Sequence, residues 1–193
     1  MLKKNPIHNH ICVLSLFCLL IASTGAWAGP LHSVMLSVPG NSEEALTWCG
    51  PATAQMLMAG YPSGSCSVLQ EDIWASIVAY KAESMWDTDP AGLKGAMNSL
   101  CPPASGRWSI HAKADPQAIM FDVAYWMTRI NYPAAGLLNT LPHNDYAAHA
   151  EHWVAIRGII TDADPRTTSS VNLVFVWFND PAAALGEPAI ERL

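Results

Sequence analysis

The sequence carries little positive charge. It has 10 lysine and arginine residues against 16 aspartates and glutamates in 193 residues, for a formal net charge of −6. It also has no basic run and no interleaving of basic with aromatic residues, the patterns that bind nucleic acid and anionic membrane surfaces. The composition therefore argues against both classes of partner.

The sequence also lacks an apolar run of the roughly 20 residues that a membrane-spanning helix needs. The apolar stretch 11–22 follows Lys3-Lys4 and precedes Ala26-Trp27-Ala28, which has the small-x-small pattern of a signal-peptidase site. These three features predict a secretory signal peptide, 1–28, that is removed on export. Residues 29–193 are then expected to form one exported domain, periplasmic or secreted, with no integral membrane segment.

Cysteine is scarce, and its count is informative. Cys12 and Cys18 lie in the predicted signal peptide, which leaves Cys49, Cys66 and Cys101. Export places these three in an oxidising compartment, where paired cysteines tend to form disulfides. Because three is an odd number, one thiol is left over.

The apolar pattern changes along the chain from helical spacing to short runs rich in β-branched residues. Ser67 followed by Gln70 has the form of a capping box, and Asp-Pro pairs start two further helices. The pattern predicts an α+β domain in two halves with a cleft between them, an N-terminal helical half and a C-terminal antiparallel sheet. The predicted helices begin at Cys49, Ser67, Asp89-Pro90 and Asp115-Pro116, and the predicted strands are 34–38, 135–138, 153–160 and 171–178.

Cys49 is the candidate nucleophile. It stands immediately before Gly50-Pro51, at the start of a predicted helix. The positive end of the helix dipole stabilises a thiolate and lowers its pKa, and the thiolate is the reactive form of cysteine. The alternative is a structural cysteine at a helix start that forms a disulfide.

His152 and Asp180 are the candidate partners of that thiol. His152 precedes the predicted strand that begins at Trp153, and Asp180 follows the end of the last predicted strand. If these two strands form a hairpin, the head of one lies beside the tail of the next, so the two residues meet. A nucleophile, a base and a group that orients the base form the usual catalytic triad. The alternatives are an exposed strand-end histidine and an Asp-Pro turn.

The three motifs together resemble a known family. Trp48-Cys49-Gly50-Pro51-Ala52, His152-Trp153-Val154-Ala155-Ile156 and Asn179-Asp180-Pro181 are similar to the motifs of papain-like cysteine peptidases, in the bacterial branch related to the double-glycine leader peptidases. The resemblance implies a papain-like fold and a thiol protease that hydrolyses a peptide or protein substrate through an acyl-enzyme. It implies Cys49 as nucleophile, His152 as general acid and base, Asp180 as orienter, and no cofactor.

One departure from the family concerns the oxyanion. Such enzymes carry a glutamine several residues before the cysteine, and its amide donates a hydrogen bond to the oxyanion. No glutamine lies between Val38 and Cys49. Asn41 is the candidate replacement, because its side chain also carries an NH₂ donor. Losing such a donor typically costs about 100- to 1,000-fold in rate.

If Cys49 is the catalytic thiol, Cys66 and Cys101 are free to form a disulfide. The chain-entropy estimate for a loop of this size is roughly 3–4 kcal/mol of stability. The alternative pairing, Cys49 with Cys66, would abolish the mechanism.

The sequence also suggests three other functions, of which the first is not predicted. His143, His149 and His152 with Asp145 and Glu151 suggest a zinc site, but the expected motif is absent and no metal is predicted. A papain-like domain without activity would bind peptides or a protein partner. The same triad also acts on amides other than peptide bonds, or in acyl transfer.

Overall fold

The structure is a computed structural model, and it describes residues 30–61, 66–103, 106–113, 115–139, 151–182 and 190–191. The chain divides into the units Met1–Pro30 and Leu31–Leu193, and every element below belongs to the second. The predicted signal peptide, 1–28, lies outside the described residues. None of the helices in the described part of the chain has both the length and the apolar character of a membrane span.

The described ranges contain four helices. Three of them begin as predicted, and two of these three have an aspartate cap and a proline at the first helical position. The Asp89 carboxylate accepts a hydrogen bond from the backbone N–H of Gly92 at 2.5 Å, and the Asp115 carboxylate accepts one from Gln117 at 3.0 Å. The helices are α1 (Cys49–Ala59), α2 (Gln70–Tyr80), α3 (Pro90–Leu100) and α4 (Pro116–Ile130).

The predicted start of α2 at Ser67 was wrong. The helix begins at Gln70, and its N-cap, Leu69, makes no side-chain capping bond. The Gln70 side chain is buried and does not close a capping box. It donates to the backbone oxygen of Ser42 at 2.8 Å and accepts from the backbone N–H of Glu44 at 3.0 Å. Gln70 therefore makes a tertiary contact with the segment before α1 and does not cap its own helix.

The sheet is antiparallel, and one central strand organises it. This strand, β3, pairs with β4 along one edge, while β1 and β2 share its other edge. Gly158 lies opposite Met35 of β1, whereas Ile156 lies opposite Ala134 of β2. The strands are β1 (His32–Met35), β2 (Ala134–Asn139), β3 (Glu151–Thr161), β4 (Leu173–Asn179) and β5 (Ile190–Glu191).

The first strand differs from its prediction as 34–38. It begins at His32 and ends at Met35, although the Leu36 N–H still donates to the Arg157 oxygen at 2.8 Å. The part of β3 that ends at Ile156 pairs with β2 on that edge, so β1 has no free stretch of β3 to pair with beyond Met35. The sheet therefore also includes an N-terminal strand and is not confined to the C-terminal half.

Two hydrophobic clusters lie on opposite faces of the sheet. Trp153 and Ala155 belong to the cluster with α1, α2 and α3, whereas Val154 and Ile156 belong to the cluster with α4. This alternation is the period of two that a strand buried on both faces requires. The fold is therefore α+β with helices and an antiparallel sheet, and α1 is packed against β3, the strand that carries His152.

Candidate active site

Cys49 is the first residue of α1. Its N–H is one of the groups at a helix start that have no intrahelical partner, and it lies at the positive end of the helix dipole. The first intrahelical bond runs from the Ala52 N–H to the Trp48 oxygen at 3.0 Å. Pro51 occupies the first turn, where its missing N–H breaks no helical bond. The local sequence thus places a partly buried thiol at the start of a helix.

Gly50 allows the start of α1 to pack closely against another segment. A Cβ at this position would lie 2.3 Å from Cγ2 and 2.4 Å from Oγ1 of Thr88. Any other residue would therefore push α1 away from Thr88. The glycine brings Cys49 next to the loop between α2 and α3.

His152 and Asp180 meet where β3 begins and β4 ends. The register pairs Ala155 with Asn179, so the residue after Asn179 lies near the start of β3. His152 Nε2 lies 2.7 Å from Asp180 Oδ1, and the two side chains are only 21 % and 27 % exposed. The structure thus brings together the two residues that the hairpin argument placed side by side.

Cys49 interacts with His152, and the two residues line the same cleft. Because Asp180 occupies Nε2, the ring nitrogen left for the thiol is Nδ1. The hydrogen bond with Asp180, and next the interaction with Cys49, raise the pKa of His152 to about 10 against the opposing effect of burial. His152 is therefore an imidazolium at neutral pH, held between a carboxylate and a thiol.

The segment that carries Asp180 is tied to the segment that precedes Cys49. Asn179 Nδ2 donates to the backbone oxygens of Val38 and Pro39, each at 3.0 Å. The Glu43 N–H donates to the Pro181 oxygen at 3.0 Å, and Asp180 Oδ1 accepts from the Ala182 N–H at 2.8 Å. These bonds hold the carboxylate in one orientation and position the approach to Cys49.

A cleft of about 290 Å³ lies beside Cys49 and His152. One wall is the loop between α2 and α3, which Trp153 holds through a 2.9 Å hydrogen bond from Nε1 to the Thr88 oxygen. The other walls come from the approach to α1 and from β3. The lining residues are Glu43, Thr47, Cys49, the loop 85–88, His152, Trp153 and Ala182.

The structure does not bring Asn41 to this cleft. Its Nδ2 donates to Gln55 Oε1 on α1 at 3.1 Å, and Gln55 is itself held by Val68 and Gln70. The amide proposed as oxyanion donor is therefore engaged in a hydrogen-bond network outside the cleft. Glu43 and Thr47 are the residues of the segment before Cys49 that line the cleft, and Glu43 carries a carboxylate.

Thr47 is a feature of the cleft that sequence reasoning missed. Its φ is 77°, in the left-handed region that β-branched residues rarely adopt. The turn that contains it is closed by a 3.0 Å bond from the Trp48 N–H to the Ala45 oxygen. Strain of this kind costs about 1–3 kcal/mol and is often found at functional sites. No sequence pattern predicted it, because turns of this type normally carry glycine here.

Cys66 and Cys101 are neighbours, but the predicted disulfide is not formed, and all three described cysteines are thiols. Burial, and then a hydrogen bond with Cys66, raise the pKa of the Cys101 thiol to about 12. Cys66 Sγ donates to the Leu100 oxygen at 3.6 Å. Their pairing in the oxidised protein stays a prediction, and Cys49 lines the cleft together with His152.

The alternative metal site mostly falls outside the described residues, because His143, Asp145 and His149 are not among them. Within the described ranges, no group of three His, Cys, Asp or Glu residues is arranged to hold a metal ion.

No protein-family model, curated protein or solved structure matches this chain. The functional interpretation therefore depends on the motifs and on the geometry of the cleft.

Proposed function

We propose that this chain is an exported cysteine hydrolase of papain-like fold that cleaves peptide bonds or related amides through an acyl-enzyme. The observation that supports this most directly is the position of His152, which is hydrogen-bonded to Asp180 and lines the same cleft as Cys49, with which it interacts. A binding domain has no need of all three groups in this order.

In the proposed mechanism the Cys49 thiolate attacks the substrate carbonyl and a C–S bond forms. The N–H of Cys49, at the start of α1, donates to the developing oxyanion. The His152 imidazolium gives its proton to the leaving amine as the C–N bond breaks. His152 then takes a proton from water, which attacks the thioester and releases Cys49. Asp180 stays ionised throughout and holds the ring in place.

The proposal is tested first by alkylation of Cys49. Reduced, folded protein is treated with iodoacetamide near neutral pH, and the adducts are mapped by mass spectrometry. We expect Cys49 to react much faster than Cys66 and Cys101, which serve as internal references in the same chain. Labelling of Cys49 no faster than that of the other two would refute an activated thiol.

Turnover is tested separately with a panel of peptide and non-peptide amides. Hydrolysis of any of them by the wild type, and its loss in Cys49→Ala, is the expected result. The panel also distinguishes a peptidase from an amidase or an acyl transferase, since only the last gives product that depends on an added amine.

Export is tested by N-terminal sequencing of the exported protein, which we expect to begin at Gly29.

A second candidate is a papain-like domain that binds peptides without cutting them. The position of Asn41 favours it, because its amide faces Gln55 and does not supply the missing oxyanion donor. Activated Cys49 with no turnover on any substrate, together with measurable peptide binding, would support this alternative.

A further inference from the structure

The cleft beside Cys49 is acidic. Two carboxylates, Glu43 and Asp87, are among its lining residues, and neither lysine nor arginine is among them. The His152 imidazolium also lines the cleft, but it is paired with Asp180, so the unpaired charge of the lining residues is negative. A cleft with an excess of one charge concentrates ligands of the opposite charge and speeds their association. Glu43 precedes α1 and Asp87 lies in the loop between α2 and α3, so two separate segments bring the carboxylates to the cleft.

Neither carboxylate forms an ion pair with a residue in the described part of the chain. The nearest lysine in sequence to Asp87 is Lys81, and its ammonium donates to the backbone oxygens of Trp86 at 3.2 Å and Ser84 at 3.4 Å. Lys81 thus bonds the backbone of the loop and forms no ion pair with Asp87. The negative charge of the cleft is therefore available to a ligand.

The loop that carries Asp87 is held in place before any ligand binds. Asp89 Oδ2 accepts hydrogen bonds from the N–H groups of Ala82 at 2.7 Å and Glu83 at 2.8 Å. The Trp153 side chain holds the other end of the loop at Thr88. A wall fixed in this way loses little entropy when a ligand binds.

The same wall offers apolar surface to a ligand. Met85 is 85 % exposed, and Trp86 lines the cleft beside it. Thr88 is 6 % exposed and its side chain faces Gly50, so it fixes the wall against α1 and does not reach a ligand.

We propose that the cleft selects substrates that carry a lysine- or arginine-type side chain next to the bond that Cys49 attacks. Such a side chain has a hydrocarbon stem, which suits Met85 and Trp86, and a cationic head, which suits Glu43 and Asp87. The cleavage part of this inference rests on the proposed function. The preference of the cleft for a cation does not, so the two can be tested separately.

The charge preference is measured on Cys49 with two small methanethiosulfonates of opposite charge, the trimethylammonioethyl and sulfonatoethyl reagents. The thiolate attacks the sulfenyl sulfur, a mixed disulfide forms and methanesulfinate leaves, so no turnover is needed. The rate ratio, cation over anion, is determined at Cys49 by peptide mapping and divided by the same ratio for N-acetylcysteine. We expect a normalised ratio of about tenfold or more in favour of the cation, falling as salt is added.

The double variant Glu43→Gln/Asp87→Asn removes both charges from the cleft, and Glu71→Gln/Asp72→Asn removes two from the start of α2 as a matched control. The inference predicts that the ratio falls toward 1 in the first variant and stays high in the second. An equal fall in both variants would mean that net charge alone sets the ratio, and a ratio near 1 in the wild type would likewise overturn the proposal.

A pair of peptides that contain arginine or its neutral isostere citrulline then tests the preference in turnover. We expect kcat/KM to favour arginine in the wild type and in the control, but not in the cleft variant. If Glu43→Gln alone raised the rate equally for both peptides, Glu43 would act on the oxyanion and not on the cation, which would overturn its assignment here.

Discussion

The two sides of the cleft are built by different means. On one side, His152 and Asp180 are positioned by the backbone register of β3 and β4. On the other side, the approach to Cys49 is positioned by long-range side-chain hydrogen bonds, chiefly from Gln70 and Asn179. In a hairpin the start of one strand lies beside the end of the next, so the meeting of His152 and Asp180 was predictable from sequence. The second side depends on which distant side chain each backbone group meets, and the sequence pattern does not encode that.

The largest expected effect comes from the side built by register. His152→Ala removes the group that pairs with the thiolate and protonates the leaving amine. We expect a loss of about 10²- to 10⁴-fold in alkylation of Cys49 near neutral pH and in turnover. The measurement is the alkylation rate at Cys49 relative to Cys66 in the same sample. A loss of less than threefold would show that the two residues do not act together.

Asp180→Asn should lower the pKa of His152. Asp180 is the largest cause of the raised pKa, about 10, so its removal should lower the titration midpoint of the ring by more than about one unit. The pKa of His152 is raised in the folded state. Its contribution to the stability of the fold is therefore complete below about pH 6.5 and is lost as the pH rises through about 10. NMR titration of the imidazole checks the midpoint, and turnover should fall along the same alkaline limb. An unchanged midpoint in Asp180→Asn would contradict the assignment.

Gly50→Ala tests the close approach on the nucleophile side. The added Cβ would overlap Thr88, so α1 or the loop has to shift. We expect a loss of about 1–3 kcal/mol in the free energy of unfolding, measured by denaturant titration. Gly40→Ala is the matched control, because a Cβ there meets no atom within 4 Å. Equal losses in the two variants would show that the contact with Thr88 is not the cause.

The smallest effect is expected at Asn41. Since its amide donates to Gln55 and does not reach the cleft, Asn41→Ala should change turnover by less than about threefold. It should lower stability by roughly 1 kcal/mol, the typical net contribution of one hydrogen bond. Turnover and unfolding measured on the same preparation check both values. A loss of 100-fold or more in rate with stability unchanged would restore Asn41 as the oxyanion donor.

Local signals predicted the helix starts where the capping side chain acts on its own helix. Asp89 and Asp115 cap α3 and α4 as their Asp-Pro pairs indicate, although Asp89 also holds the preceding loop with its second oxygen. The same reasoning failed at Gln70, where a sequence typical of a capping box serves a tertiary contact. It also failed for β1, because competition between two strands for one edge of β3 is a property of the whole sheet.

The candidate site divides in the same way. Cys49, His152 and Asp180 were each suggested by position at the end of an element, and the structure brings the three together. The oxyanion candidate Asn41 was chosen for its chemistry alone, and its side chain faces elsewhere. Glu43 and Asp87 carried no signal, because isolated acidic residues between helices usually belong to a solvated surface.

Thr47 has a consequence for any attempt to stabilise this protein. Its left-handed backbone beside Cys49 suits glycine, and Thr47→Gly would relieve local strain. The same change would remove a side chain that lines the cleft and loosen the turn that leads to the nucleophile. Stability and activity are therefore expected to trade against each other at this single position, so it is a poor choice for thermostabilisation and a good one for measuring that exchange.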